Sequence, residues 1–353
     1  MKSRIGRPLL LGALLLLAAG LSCLLLLPKL TAEPAVRQGE ADYAAHAGRV
    51  VTLSGDWELY YNHLEPRIDG KTQAQAIDAR IPGVWNGLLD QGEPLGGFGY
   101  GTYRVRILGL TPGTQYGLYI PLLSVSYRVL IDGTAVAQNG SVSNSMTGFV
   151  PSFLPQTAVF TANGSEAELC VQTSNYIYAR NGMWHSIYLG TKDQIVAMNR
   201  AVLYKDVFFL GAFLTLAIYY ASTYALRREK QSLLFVLLCV GAAMRILVNG
   251  DRVIVRLIPS FPFEWIVRFD YWAILLFYPI MLYLMTRRFP EEFSKPFAYV
   301  VFGLGFIGSV LVLALPVSVF TKYVVAAEAL LFLNILSTLF MLSRALLRGR
   351  KSA

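Results

Sequence analysis

After Lys205 the chain stops reading as a soluble protein. Five apolar runs follow: Val207–Leu226, Leu233–Val248, Phe269–Met285, Phe297–Leu315 and Tyr323–Leu342. Each is near the roughly 20 residues that a helix needs to cross a bilayer, the second being somewhat short. This feature limits the fold most strongly. Backbone in hydrocarbon must satisfy its own hydrogen bonds, and runs of this length do so as helices. The predicted architecture of this half is an all-α transmembrane helix bundle. Charged residues make up only 15% of the whole chain, against about a quarter in soluble domains.

The cations sort with these runs. Ten Lys and Arg residues, in the clusters Arg227–Lys230, Arg287–Lys295 and Arg344–Lys351, fall on one side of the predicted bundle. Arg252, Arg256, Arg268 and Lys322 fall on the other. The richer side is the expected cytoplasmic face. At the N-terminus a basic head, Met1–Arg7, precedes the apolar run Leu9–Leu27. That order marks a signal peptide or an uncleaved anchor, and either sends the following domain across the membrane. Two separate arguments thus put the intervening domain outside. The predicted division is residues 1–30 as signal or anchor, 31–200 as an extracytoplasmic ligand-binding domain, and 201–353 as a partial receptor transmembrane domain of five helices. Thr31–Lys205 holds 12 basic and 14 acidic residues, so the net charge of +9 belongs to the membrane segments. It indicates a membrane partner and no nucleic acid.

The domain between has strand texture. In "TYRVRILGL", Tyr103, Val105 and Ile107 alternate with Arg104 and Arg106, the period of a half-buried strand. "SYRVLIDGTAVAQNG" reads as two strands around Asp132-Gly133, a strong hairpin dipeptide. "AELCVQTSN" sets Leu169 and Val171 against Glu168, Cys170 and Gln172. Many short strands without a long amphipathic helix predict a β-sandwich. Cys23, Cys170 and Cys239 are the three cysteines, and Cys170 is alone in this half, so no disulfide framework is expected.

Catalytic signatures are absent. His46, His63 and His185 have no metal-ligand spacing, no nucleophile elbow occurs, and "GGFGYG" precedes a strand where a phosphate loop would precede a helix. No catalytic residue, metal or cofactor is expected. A binding site is. "NYIYARNGMWHSIYLG" crowds Tyr176, Tyr178, Arg180, Trp184 and His185 into one stretch just ahead of the membrane segments. Flat rings with amides and guanidinium groups suit a sugar, whose faces are apolar and whose edges carry hydroxyls. Trp85 is a further candidate; the alternative for each ring is a place in the core. Within the apolar runs Arg245 and Glu328 are the clearest ionisable groups. They either pair in the membrane or lie apart, Arg245 snorkelling to the outer surface.

An ordered series of segments carries a resemblance. "LSGDWELYYN", "RIPGVWNG", "GYGTYRVRI", "SYRVLIDGTAVAQNG" and "QTSNYIYARNGMWHSIYLG" resemble the jelly-roll, galactose-binding-like module at the N-terminus of family 2 glycoside hydrolases. The membrane half resembles the bacterial seven-transmembrane receptors with diverse intracellular signalling modules, through Arg245 at the end of the second run and "RRFPEEF" after the third. The resemblance implies a multi-pass protein of the bacterial cell membrane with its N-terminal domain extracytoplasmic. Its outer domain would bind a small, carbohydrate-like ligand, and its output would go to a separate cytoplasmic effector, with a homodimer among the partners. It also implies two helices and an effector beyond those seen here, which sets a truncated receptor beside the intact one. The competing expectation is a membrane-tethered carbohydrate-binding or adhesion protein without signalling.

Overall fold

The computed structural model describes residues 36–46, 48–64 and 75–348. The N-terminal segment expected as signal or anchor lies outside these residues. The first eight strands are β1 (Val36–Arg37), β2 (Glu40–Asp42), β3 (Val51–Leu53), β4 (Gly55–Tyr61), β5 (Ile77–Ile81), β6 (Gly83–Val84), β7 (Leu89–Asp90) and β8 (Glu93–Pro94). There follow β9 (Gly99–Leu108), β10 (Gln115–Ile120), β11 (Ser126–Ile131), β12 (Thr134–Asn139), β13 (Gln156–Thr161), β14 (Glu166–Asn175), β15 (Gly182–Met183) and β16 (Ile187–Thr191). One sheet runs β12-β11-β14-β9-β2-β1-β4-β5 and a second runs β13-β10-β16-β3. They form the predicted β-sandwich.

Alternation decides which side chains meet between the sheets. Tyr103, Val105 and Ile107 of β9 and Leu169 and Val171 of β14 are buried in one core with Leu118, Ile120, Ile187 and Leu189 of the second sheet. Their neighbours point the other way, where Arg104 bridges Glu58 at 2.7 Å and Glu168 at 2.8 Å. This far face is not fully open. Gln172 donates to the Leu64 carbonyl at 2.7 Å and Thr102 to that of His63 at 2.7 Å, so the chain after β4 crosses it. Glu168, Cys170 and Gln172 are therefore buried as well. The hairpin β11–β12 turns on Asp132 and Gly133 with φ of 48° and 81°, the two left-handed residues that a tight hairpin demands.

β16 runs without a break into α1 (Lys192–Arg227). Thr191 is its N-cap in a capping box, and its N–H donates to Gln194 Oε1 at 3.0 Å. At 36 residues α1 is about 54 Å long, well over the ~30 Å of a bilayer's hydrocarbon. Its first turns belong to the sandwich: Ile195 is fully buried against Gly117, where a Cβ would lie 2.8 Å from that of Ile195. The bundle continues with α2 (Lys230–Val248), α3 (Val253–Leu257), α4 (Phe263–Trp272), α5 (Tyr278–Arg288), α6 (Lys295–Ala314), α7 (Val317–Phe320) and α8 (Val324–Leu347).

Five helical segments among the described residues are long and apolar enough to span a membrane: 192–227, 230–248, 263–287, 295–314 and 317–345. The chain is a multi-pass membrane protein. The third span joins α4 to α5 through a π-helical stretch, Ala273–Phe277, just before Pro279. Proline cannot donate to the carbonyl four residues back, and a widened turn absorbs the defect. That carbonyl, of Leu275, faces Gly305, where a side chain would collide with it.

Candidate functional site

Tyr178 and Trp184 of the aromatic stretch ahead of α1 do not face open solvent. The loop of this stretch is shaped by amides. Asn175 donates to the carbonyls of Gly97 (2.7 Å) and Tyr178 (2.6 Å), while Asn86 donates to Ala179 O at 3.1 Å and accepts from Asn181 N at 3.0 Å. So fixed, the loop meets the near end of the bundle, where Ala179 N–H donates to Thr321 Oγ1 at 3.1 Å. Tyr178 and Trp184 pack with tilted rings at 5.4 Å, and both edge the Phe153 ring, at 6.4 Å and 5.9 Å. Phe153 in turn lies 4.6 Å from Phe263, the first residue of α4. Leu122, Val125 and Phe153 from the sandwich and Val255, Phe263 and Ile266 from the bundle share one buried cluster. Sandwich and bundle meet through an apolar joint.

Polar groups thread that joint. The turn Asn249–Arg252 ends α2 with Gly250 at φ 60° and Arg252 at φ 50°. Asp251 N–H donates to Asp206 Oδ2 of α1 at 3.0 Å, and a Cβ on Gly250 would lie 2.7 Å from the same oxygen. Asp251 pairs with Arg256 at 2.8 Å, and Arg256 also donates to Asn199 Oδ1 at 3.2 Å. Burial raises the Asp251 pKa, and Arg256 opposes the rise. Arg252 is buried, donates to Val248 O at 2.6 Å, and lies over the Phe153 ring at 4.4 Å from its centre. Burial pushes its pKa down to about 10, and Asp270 opposes that fall. Its Nε has no hydrogen-bond partner among the described residues.

Several expectations change here. Trp85 is fully buried, stacked on Tyr103 and edged by Tyr61, so it belongs to the core and is no ligand platform. Tyr178 and Trp184 face the helices. Tyr176 stays half-exposed beside Phe149 at 5.4 Å, its hydroxyl donating to Ser143 O at 3.3 Å. Arg180 is half-buried, and His185 is exposed at one edge. Desolvation of the His185 ring, with the Arg252 charge behind it, lowers its pKa. Arg245 pairs with Asp270 of α4, which also accepts from Asn249 Nδ2 at 3.2 Å. Arg245 and Glu328 form no pair; Glu328 is exposed. Sequence reasoning missed Asp270, Asp206 and the part played by Arg252. The signal available was "NGDR", a turn dipeptide flanked by charge at the edge of an apolar run.

Two hollows stand out. A groove of about 500 Å³ opens at the joint between the sandwich segment 140–153 and the bundle segment 255–266. A larger cavity of about 680 Å³ lies at the far end of the bundle beside Glu292. There Glu292 is held by Arg344 at 3.5 Å and Arg348 at 3.2 Å, so its charges answer one another. The joint groove, next to an under-partnered cation, is the stronger site.

Comparison with known proteins gives a match for the membrane half. Residues 203–353 match the family described as 7TM diverse intracellular signalling. No curated protein matches. Among solved structures the chain is similar to a GH2 beta-galacturonidase from Eisenbergiella tayi bound to galacturonate, at 17% identity and a TM-score of 0.29. Others are beta-glucuronidases from Ruminococcus gnavus, at 12% and 0.30, and Faecalibacterium prausnitzii, at 16% and 0.32. Each similarity covers 40% of this chain, and 24%, 28% and 31% of those enzymes respectively.

Proposed function

We propose that this chain, with a membrane half of the 7TM diverse intracellular signalling type, is a sensory receptor whose outer sandwich binds a small, carbohydrate-like ligand. The observation that carries the reading is the double connection between sandwich and bundle. β16 becomes α1 with no intervening linker, and Phe153, Tyr178 and Trp184 pack on the start of α4 and the turn before it. A rigid-body shift of the sandwich therefore moves α1 against α2, where Asp206 grips the Asn249–Arg252 turn. Packed elements with few alternative arrangements respond to such a shift as a switch. On this reading the sandwich is extracytoplasmic, the segments 228–230 and 288–294 are cytoplasmic, and the signal goes to a cytoplasmic effector. The chain itself is non-catalytic.

The half-exposed ring of Tyr176, the guanidinium of Arg180 and the exposed edge of His185 supply the rings and donors that a polyhydroxylated ligand needs. The test uses the full chain in lipid nanodiscs titrated with a panel of neutral and acidic sugars up to high concentration, since single shallow sites bind modestly. The reading expects saturable quenching of tryptophan fluorescence, lost in Tyr176→Ala, and altered hydrogen exchange in residues 249–263. Binding that leaves 249–263 unchanged favours a tether without signalling. No binding across the panel removes the carbohydrate assignment.

A further inference from the structure

The ionisable groups at the joint divide into two sets. Asp206 and Asp251 are met by Lys205, at 3.3 Å from Asp206, and by Arg256. That set is balanced. The second set holds Arg252 and the pair Arg245–Asp270, two cations for one anion. Glu328 is exposed and makes no ion pair among the described residues. The excess charge therefore falls on Arg252. Its residue is 8% exposed, and its Nε has no partner among the described residues. A buried guanidinium with incomplete partners is unfavourable unless a negative group completes it.

The groove supplies a way in. Phe153 lines it, and the Arg252 guanidinium lies over the same ring. A rotamer change of Phe153 would join groove and cation. Its volume of about 500 Å³ lies within the range of small-ligand pockets, about 300–1,000 Å³. Val150, Pro151, Pro259, Phe261 and Ile266 make the lining largely apolar. The groove also sits at the start of the third span, and its neighbours Leu257, Ile258 and Trp265 expose apolar surface there. An apolar tail in the groove would be continuous with bilayer hydrocarbon.

We infer that the groove and Arg252 form a site for an anionic amphiphile drawn from the membrane, a lipid whose headgroup charge pairs with Arg252. The lipid would hold sandwich and bundle together, since its tail lies between segments of both. This goes beyond ligand binding by the sandwich and does not depend on it. A sugar that fails to bind leaves it standing.

The experiment is thermal unfolding of the full chain in nanodiscs of phosphatidylcholine alone and with increasing phosphatidylglycerol. The inference expects the midpoint to rise with the phosphatidylglycerol fraction, as ligand linkage requires. Arg252→Met removes the unpaired charge, so its midpoint in phosphatidylcholine should equal or exceed that of the parent, and its rise with phosphatidylglycerol should be lost. Ser260→Trp fills the groove from an exposed position without touching Arg252, and it too should lose the rise. It decides the matter if Arg252→Met does not fold. An equal rise in parent and Ser260→Trp would overturn the inference by tracing the effect to general surface charge. A rise produced by octanoate in phosphatidylcholine, with none from phosphatidylglycerol, would overturn the membrane source.

Discussion

Phe153→Ala probes the joint at its centre. The ring is 4% exposed and touches Tyr178, Trp184, Phe263 and the Arg252 guanidinium. Truncating a buried phenylalanine costs about 3–5 kcal/mol. The lower end applies here, because two packed bodies can close partly over the gap. If the whole loss falls on docking, about 3 kcal/mol raises the equilibrium for opening the joint roughly 100-fold. Hydrogen exchange with peptide resolution reads this directly. The Ala179 amide, bonded to Thr321 Oγ1 across the joint, and the amides of 249–263 should exchange about 100-fold faster where exchange follows local opening. Amides in the β9–β14 pairing, which lies inside the sandwich, should keep their rates. Acceleration spread evenly through β9 and β14 would refute the reasoning, because Phe153 would then be part of the sandwich core. Unchanged exchange at Ala179 would refute it from the other side.

Three further outcomes follow from the geometry. Gly250→Ala should lower stability by about 1–2 kcal/mol from the left-handed backbone alone, with more from the Asp206 oxygen 2.7 Å from the new Cβ; Gly96→Ala, with open space around it, should be near neutral in the same chemical unfolding assay. In a double-mutant cycle, Arg245→Met and Asp270→Leu should couple by about 1 kcal/mol, a value discounted because both side chains are about one-third exposed, whereas Arg245→Met and Glu328→Gln should add independently. His185 has a lowered pKa when folded, so its contribution to stability is complete above the unfolded value of about 6.5 and is lost as pH falls through the folded value. Unfolding midpoints between pH 7.5 and 5 should fall less in His185→Gln than in the parent.

Much of the architecture was legible because it is written in local pattern. The alternation of Tyr103, Val105 and Ile107 with two arginines gave the strand and its buried face, Asp132-Gly133 gave the hairpin turn, and five apolar runs gave five spans. The site was less legible because it is made by docking. Trp85 and Trp184 look alike in sequence, yet one stacks on Tyr103 inside the sandwich and the other meets Phe153 at the joint. Only the position of β6 and of the 175–186 loop in space separates them. Arg245 and Asp270 are 25 residues apart, on different helices, and no spacing rule links them. The buried state of Glu168, Cys170 and Gln172 was likewise hidden, since it depends on the chain after β4 crossing the far face of the sheet.

The account rests on the sandwich and the bundle moving as coupled bodies. Spin labels at Gln138→Cys, on the sandwich, and Gln231→Cys, at the start of α2, report this most directly, with the native cysteines replaced. Both positions are exposed. Double electron–electron resonance on the nanodisc-embedded protein should give one narrow distance distribution in the parent and a broadened one in Phe153→Ala. A broad distribution already present in the parent would mean that the sandwich swings freely on α1, and would contradict the account.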